Sequence, residues 1–518
     1  MKRLALLLLA AACGGVTGND SDDQNFSSDV ATLLVMDLDS SLVTSTSANA
    51  AGQMRAQLMW TVGHLNAEPG VARLDKLALS KVATASLGGG LYRISYHVKL
   101  PVAWGSKTSL PSSYTFTLPK RVDTTGATAF YTKYKDICRD DDGDTVTVDN
   151  FWFHYRPHAG GCTLAAADVT VATATAAMST VNTVAKYPEY QKVWEDGLFT
   201  VVAVFGKYTP GATDPSDPGL AAYTAFAGAV ASELKVAAPA ADAAHPDVTL
   251  RAGNVIVTLL LTDALYAAPA SWQKRFAEVS TNADLILYNG HAGLGANVRA
   301  MASMGQFFPG RYQILFLDGC DTFAYADDTW ATRRAPLNPD DNASGTKYLD
   351  IVTNAMPAYF TSLSGASMAL LHALAHPESP MTYPQIFHSA DPSQVVVVNG
   401  EEDNVFHPGM SVAPRWSLAE EGFVGKAESV LYTTDVLPAG SYVFQLSPDP
   451  SIAGGDSDLR GRAGAMPTTD LTYKCKSYVG NSNERCKLTL ASAQKVYLTV
   501  TGDAAGVQSH FLLRAFSQ

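Results

Sequence analysis

The chain has 518 residues, enough for about three domains that each bury a core, so a single small module is excluded. Hydrophobic residues make up 47% and charged ones 17%, with 7 Trp, 22 Tyr and 20 Phe, a composition that excludes global disorder. Lys plus Arg is 37 against 49 Asp plus Glu, a net charge of -12, so the basic stripe of a nucleic-acid binder is missing and no nucleic-acid partner is expected.

Lys2 and Arg3 precede an apolar run from Leu4 to Ala12 that ends in small residues, the pattern of a secretory signal peptide over 1–12. Such a run is too short to span a bilayer as a helix. Cys13 directly after it, with Ala10 where Leu is commoner, resembles a bacterial lipobox. That resemblance implies lipidation of Cys13 and attachment to a membrane, with a plainly cleaved signal and secretion as the alternative. Gly14 stands where some inner-membrane lipoproteins carry Asp, which points to the outer membrane, on its periplasmic or cell-surface face. Residues 13–30, rich in Gly, Ser, Asn and Asp, are expected to form the anchor and a flexible tether. Export favours disulfides: Cys138 with Cys162, and Cys475 with Cys486, can each close a local loop. Cys320 is left over, as a buried structural thiol or a reactive one.

Residues 31–162 are expected to form a β-rich N-terminal domain, with runs such as Leu91–Val98 and Tyr114–Leu118 broken by Gly, Pro, Ser and Asp. The acidic run Asp140–Asp144 suggests calcium, but Thr145 occupies the place where an EF-hand loop needs Gly, so a solvated turn is favoured. His154 and His158 have no partner at a metal-ligand spacing and are expected to pack on strands. Residues 163–195 are Ala and Thr rich, then aromatic, and are expected to be a connector ending in a helix.

From 196 to 410 the pattern alternates β and α. Leu198–Phe205, Val255–Leu261, Asp284–Tyr288 and Tyr312–Leu317 are apolar throughout, as in strands covered by helices on both faces. Leu220, Tyr223, Ala227, Val230 and Leu234 recur at helical spacing, and Ser271–Val279 supplies a second helix. Ligands bind beyond the carboxyl ends of such strands. Two of those ends carry reactive groups: Tyr288-Asn289-Gly290-His291 and Asp318-Gly319-Cys320. The stretch between them has room for one crossover helix, and a right-handed crossover brings the tips side by side. An imidazole beside a thiol can take its proton and generate the nucleophile for acyl transfer.

Order, context and spacing of His291 and Cys320 resemble the caspase-like cysteine peptidases, the group of caspases, metacaspases, legumains, clostripain and gingipains. The resemblance lies in the motifs, and Ala292 stands where that family usually has Gly, followed by Gly293. It implies that His291 is the general base and Cys320 the nucleophile of a thioester acyl-enzyme, with the backbone N–H groups of Cys320 and of Ala292 and Gly293 as oxyanion donors. It also implies that Asp318 can shape a pocket for a basic residue, although a turn or capping carboxylate is the favoured account. Asp321, and with it Asp327 and Asp328, lies in the following loop and either meets substrate or is solvated.

His372 and His376 lie four apart on an expected helix over Leu363–Ala375, but the Glu of the zinc-protease motif is absent, so no metal is expected there. Gly365-Ala366-Ser367-Met368-Ala369 lacks the final Gly of a nucleophile elbow and is expected to be a helix contact. Val395–Val398 is expected to be a late strand. Residues 416–518 show strands such as Gly440–Leu446 and Lys495–Val500, as in a small sandwich. Gly455-Asp456-Ser457-Asp458-Leu459, Pro467-Thr468, Tyr473-Lys474-Cys475 and the Gly480–Cys486 run resemble the bacterial pre-peptidase C-terminal domain, here with Leu459-Arg460-Gly461 where Leu-Tyr-Val is usual. This second resemblance implies a secreted peptidase accessory β-sandwich and a Cys475–Cys486 disulfide.

The expected architecture is therefore multidomain: a β-rich domain, a central α/β caspase-like domain with a mostly parallel sheet, and a C-terminal β-sandwich. The expected function is a membrane-anchored extracytoplasmic cysteine endopeptidase acting on protein or peptide. The alternative is an inactive caspase-like lipoprotein that binds or adheres. No cofactor is expected, and calcium has no ligand spacing to support it.

Overall fold

The computed structural model describes residues 25–141, 145–184, 186–341, 345–452, 454–467, 475–477, 481–503 and 508–518. The expected signal peptide, Cys13 and most of the tether lie outside the described residues, as does part of the acidic run after Asp141.

An eight-stranded mixed sheet forms the centre. Its strands lie in the order Phe26–Ser27, Val396–Asn399, Leu349–Asn354, Gln313–Asp318, Leu285–Asn289, Phe199–Gly206, Val255–Thr262 and Asp247–Ala252. The five from Leu349–Asn354 to Val255–Thr262 pair parallel. The edges are antiparallel. Because successive side chains on a strand point to opposite faces, each apolar run divides between two cores. Val201, Ala203, Phe205, Leu285, Leu287, Ile314 and Phe316 join one core with the helices Pro218–Leu234 and Phe360–Ala375. Val202, Val204, Ile286, Tyr288, Leu315 and Leu317 join the other, with the helices Ala270–Ser280 and Ala296–Ser303. Burial on both faces is the reason these strands are apolar without alternation.

The second core is continuous with that of the N-terminal region, whose antiparallel sheet of six strands contains Thr32–Thr44, Leu91–Trp104 and Ser113–Pro119. Trp60 packs edge-on against Phe130, Phe151 and Tyr155 there. Several expectations need correction. Helices Ala50–Leu58, Trp60–Asn66 and Thr124–Tyr134 accompany this sheet, so the β-rich region also holds helices not expected from its sequence. The expected connector 163–195 holds a strand of that sheet, Val169–Met178, because alternate Thr and Ala side chains suit a half-exposed strand. It then ends in the short helix Tyr190–Val193. The tether does not reach residue 30: Phe26–Ser27 pairs with Val396–Asn399, and Phe26 is buried against Phe323. His154 lies in the helix Phe151–His154, with its Nδ1 3.0 Å from Asp140 Oδ1.

From Ser417 onward, two four-stranded antiparallel sheets face each other. Phe444, Leu446, Leu459, Leu498, Val500 and Leu513 fill the space between them. Buried charges join this unit to the central one: Glu195 Oε1 accepts from Arg311 at 3.2 Å and from Arg485 at 2.9 Å, and Arg311 also pairs with Asp284 at 2.6 Å. Cys138 and Cys162 form a disulfide. Cys486 is disulfide-bonded as well, while the Cys475 side chain lies outside the described residues. Among the described residues no helix is long and apolar enough to cross a membrane.

Candidate functional site

In chain order the five parallel strands stand second, first, third, fourth and fifth across the sheet, so the order reverses between Phe199–Gly206 and Leu285–Asn289. Crevices open beyond the carboxyl ends of strands at such a reversal. The site is built from the segments leaving these two strands and the next, Gln313–Asp318. Asn289 pairs with Asp318 in parallel register. His291 and Cys320 therefore each stand two residues past a matched pair, on adjacent strand ends.

The backbone between them is tight. A Cβ on Gly319 would lie 2.5 Å from Gly290 O, so only glycine lets the two turns approach this closely. Directly after the thiol, Asp321 adopts a left-handed conformation, φ 51°, and begins the short helix Thr322–Tyr325. Its amide donates to Met356 O at 3.2 Å.

Each reactive residue has its own supports. His291 Nε2 lies 3.2 Å from Tyr208 O, and the ring is flanked by Tyr208 and Phe360 at 4.9 Å each. A carbonyl can only accept, so this bond puts the proton on Nε2 and leaves the Nδ1 lone pair as the basic position. The His291 carbonyl accepts from Tyr288 Oη at 2.6 Å and from Asn297 Nδ2 at 2.7 Å, which fixes the following peptide. The Ala292 amide in that peptide has no acceptor among the described residues. Tyr208 is held in turn by Asp217, the N-cap of Pro218–Leu234, which accepts from the amides of Tyr208, Thr209, Gly219 and Leu220. Burial works to raise the Asp217 carboxyl, but these four N–H donors hold it below its ordinary value. The half-buried Cys320 Sγ donates to Ala358 O at 3.4 Å.

The carboxylates expected near a substrate are placed differently. Asp318 is buried, with Oδ1 accepting from Asn354 Nδ2 at 2.6 Å and from Gln394 Nε2 at 3.0 Å. Burial raises its carboxyl well above the ordinary value, against those two bonds. A pocket for a basic side chain needs a carboxylate that substrate can reach, and this one is fully buried, so the geometry gives that role no support. Asp321 is buried against the N-terminal region: Asn66 Nδ2 donates to its Oδ2 at 2.9 Å, and burial pushes its carboxyl up to about 7. Asp327 receives the Thr329 amide, and Asp328 pairs with Lys76 at 2.8 Å. Ser367 sits inside a helix and donates to Asn289 Oδ1 at 2.8 Å, a packing contact as expected. A cleft of 1160 Å³ between Lys192, Asn338, Arg415 and Lys487 lies elsewhere, and neither His291 nor Cys320 lines it.

Tyr208, Asn297, Ala358 and Phe360 were not legible as site residues. Three of them act through backbone atoms or ring packing, and Asn297 acts on a carbonyl, none of which leaves a residue-type signature. Asp217 had a signal, Asp-Pro at a helix start, though only for the cap.

No family model matches the chain, and no curated protein matches it. Part of the chain is similar to the periplasmic inhibitor of g-type lysozyme, PliG, of Aeromonas hydrophila, at 16% identity over 20% of this chain and 86% of that one, with a TM-score of 0.17. Another similarity is to the solution structure of vEP C-ter 100, at 24% identity over 19% of this chain and 91% of that one, with a TM-score of 0.16. Likenesses this limited say nothing about His291 and Cys320.

Proposed function

We propose that His291 and Cys320 form the dyad of a caspase-like cysteine endopeptidase, exported and anchored through lipid on Cys13. The observation that carries this reading is the Asn289–Asp318 register, which sets an imidazole and a thiol at equal height past adjacent strands, with His291 Nε2 turned to a carbonyl. Nδ1 takes the proton from Cys320 Sγ, and the thiolate attacks the scissile carbonyl. The amides of Ala292 and Cys320 stabilise the oxyanion, and the proton passes from Nδ1 to the leaving amine. Water then hydrolyses the thioester. No cofactor enters this chemistry. The Cys138–Cys162 disulfide agrees with an oxidising compartment.

Before attack, the proton that Cys320 Sγ donates to Ala358 O has to pass to the imidazole. That same contact, with rings on both sides of His291, favours a second reading: a binding lipoprotein whose dyad stays closed. Labelling of the purified chain with a peptidyl electrophile, in wild type, Cys320→Ala and His291→Ala, separates the two. Labelling that needs both residues is the expected result. A folded wild type that no basic, acidic or apolar peptide probe labels would sink the peptidase reading.

A further inference from the structure

Three donor atoms meet over one face of the central sheet, apart from the dyad. The helices Pro218–Leu234 and Phe360–Ala375 pack side by side in parallel, with Ser364 Oγ on Ala222 O toward their starts and His372 near Glu233 toward their ends. His372 Nδ1 and His376 Nε2 each lie 2.9 Å from the same atom, Glu233 Oε1. The candidate ligand atoms of these three residues all fall within 4.8 Å of one another. A carboxylate from a different helix thus joins the two histidines.

We propose that Glu233, His372 and His376 bind a divalent transition-metal ion, with zinc the best fit to two imidazole nitrogens and one carboxylate oxygen. Zinc sits about 2.0–2.2 Å from such donors, and a tetrahedron of that size spaces them roughly 3.4 Å apart. The two 2.9 Å separations from Glu233 Oε1 open by about 0.5 Å, and the two imidazole nitrogens, already within 4.8 Å of each other, settle to the same spacing to admit the ion. Water completes the fourth position, since the site is open to solvent. His376 carries the orienting contact usual for a ligand histidine: its Nδ1 lies 2.8 Å from Glu378 Oε1, which leaves Nε2 for the metal. The field is favourable too. Both helices end here, where unpaired carbonyls concentrate negative potential, and the last turn of Pro218–Leu234 holds no basic residue. The ion ties together the ends of two helices whose starts carry Asp217 and Phe360, the supports of His291.

Cobalt titration of the metal-stripped full chain tests this, in a Cys320→Ala background so that the dyad thiol does not compete. One equivalent of Co²⁺ is expected, with the intense visible absorption of a tetrahedral site, displaced by one equivalent of Zn²⁺. Glu233→Gln and the double change His372→Ala with His376→Ala should abolish the signal, and Glu378→Gln should weaken affinity by about 10–100-fold. The two histidines and Glu378 are largely exposed and Glu233 is partly buried, and circular dichroism checks that each variant stays folded. Binding unchanged in the double variant, or no binding at all below about 0.1 mM, overturns the proposal.

Discussion

Changing Asp350 to Asn is expected to remove a large pH dependence from the stability of the central unit without touching the candidate site. Asp350 lies fully buried at the start of the strand Leu349–Asn354. Its Oδ2 accepts from Tyr312 Oη at 2.6 Å, Tyr383 Oη at 2.5 Å and Asn404 Nδ2 at 2.7 Å. Oδ1 is buried with no partner among the described residues. Burial pushes the carboxyl from 3.8 up to about 7, against those three bonds and with Glu401 adding to the rise. Since the folded-state value is the higher one, the folded chain holds the proton through this window and the unfolded chain does not. The contribution is full below about pH 4, falls by about 1.4 kcal/mol per pH unit, and is lost above about pH 7, roughly 4 kcal/mol in all. Asparagine mimics the protonated carboxyl: it is neutral, and its oxygen can accept the same three donors. Urea unfolding of both proteins, followed by tryptophan fluorescence from pH 5 to 8, isolates the effect, because other titrations cancel in the difference. Between those limits the gap should move in favour of Asp350→Asn by about 3 kcal/mol. A gap constant to within about 0.5 kcal/mol would refute the assignment of a neutral buried carboxyl at this position.

Other outcomes follow from the supports of the dyad and from the staple in the N-terminal region. Asn297→Asp sets a carboxylate oxygen against the His291 carbonyl in place of a donor; a cost of about 1–3 kcal/mol corresponds to a roughly 10–100-fold slower labelling of Cys320, and an unchanged rate would show that Asn297 does not position the peptide. Asp217→Ala removes a helix cap and the hold on the Tyr208 amide, costing about 1–2 kcal/mol, which thermal melting reads, together with slower labelling. Since the four amides hold the Asp217 carboxyl low, its stabilisation is present above about pH 4 and is lost as pH falls further, so the wild-type advantage over Asp217→Ala should shrink below pH 4. Replacing Cys138 and Cys162 by Ala frees a loop of separation 24 and should cost about 3 kcal/mol, seen as earlier proteolysis of the N-terminal region; equal resistance would argue that the loop is held by packing alone.

How far the sequence could be read depended on where each signal was stored. Strands buried on both faces must be apolar at every position, so Leu285–Asn289 and Gln313–Asp318 stand out from composition and length alone. His291 and Cys320 stand out for the same reason, as reactive side chains where two such runs stop. Strand Asp247–Ala252 lies at an edge and alternates polar with apolar residues, so it shows no continuous apolar run. Leu349–Asn354 carries the buried Asp350, whose three donors come from distant segments, so local polarity concealed it.

The sequence by itself determined which runs must be buried, which helices follow them, and that an imidazole and a thiol leave two consecutive strands. Those properties depend on residues near one another in the chain. Only the tertiary structure decided the register that sets His291 level with Cys320, the Tyr208 carbonyl that selects the histidine tautomer, the burial of Asp318, and the meeting of Glu233 with His372 and His376. Each of these depends on backbone atoms or on side chains brought together by the packing of separate elements, and the pairings of folded strands and helices are not carried by any one segment.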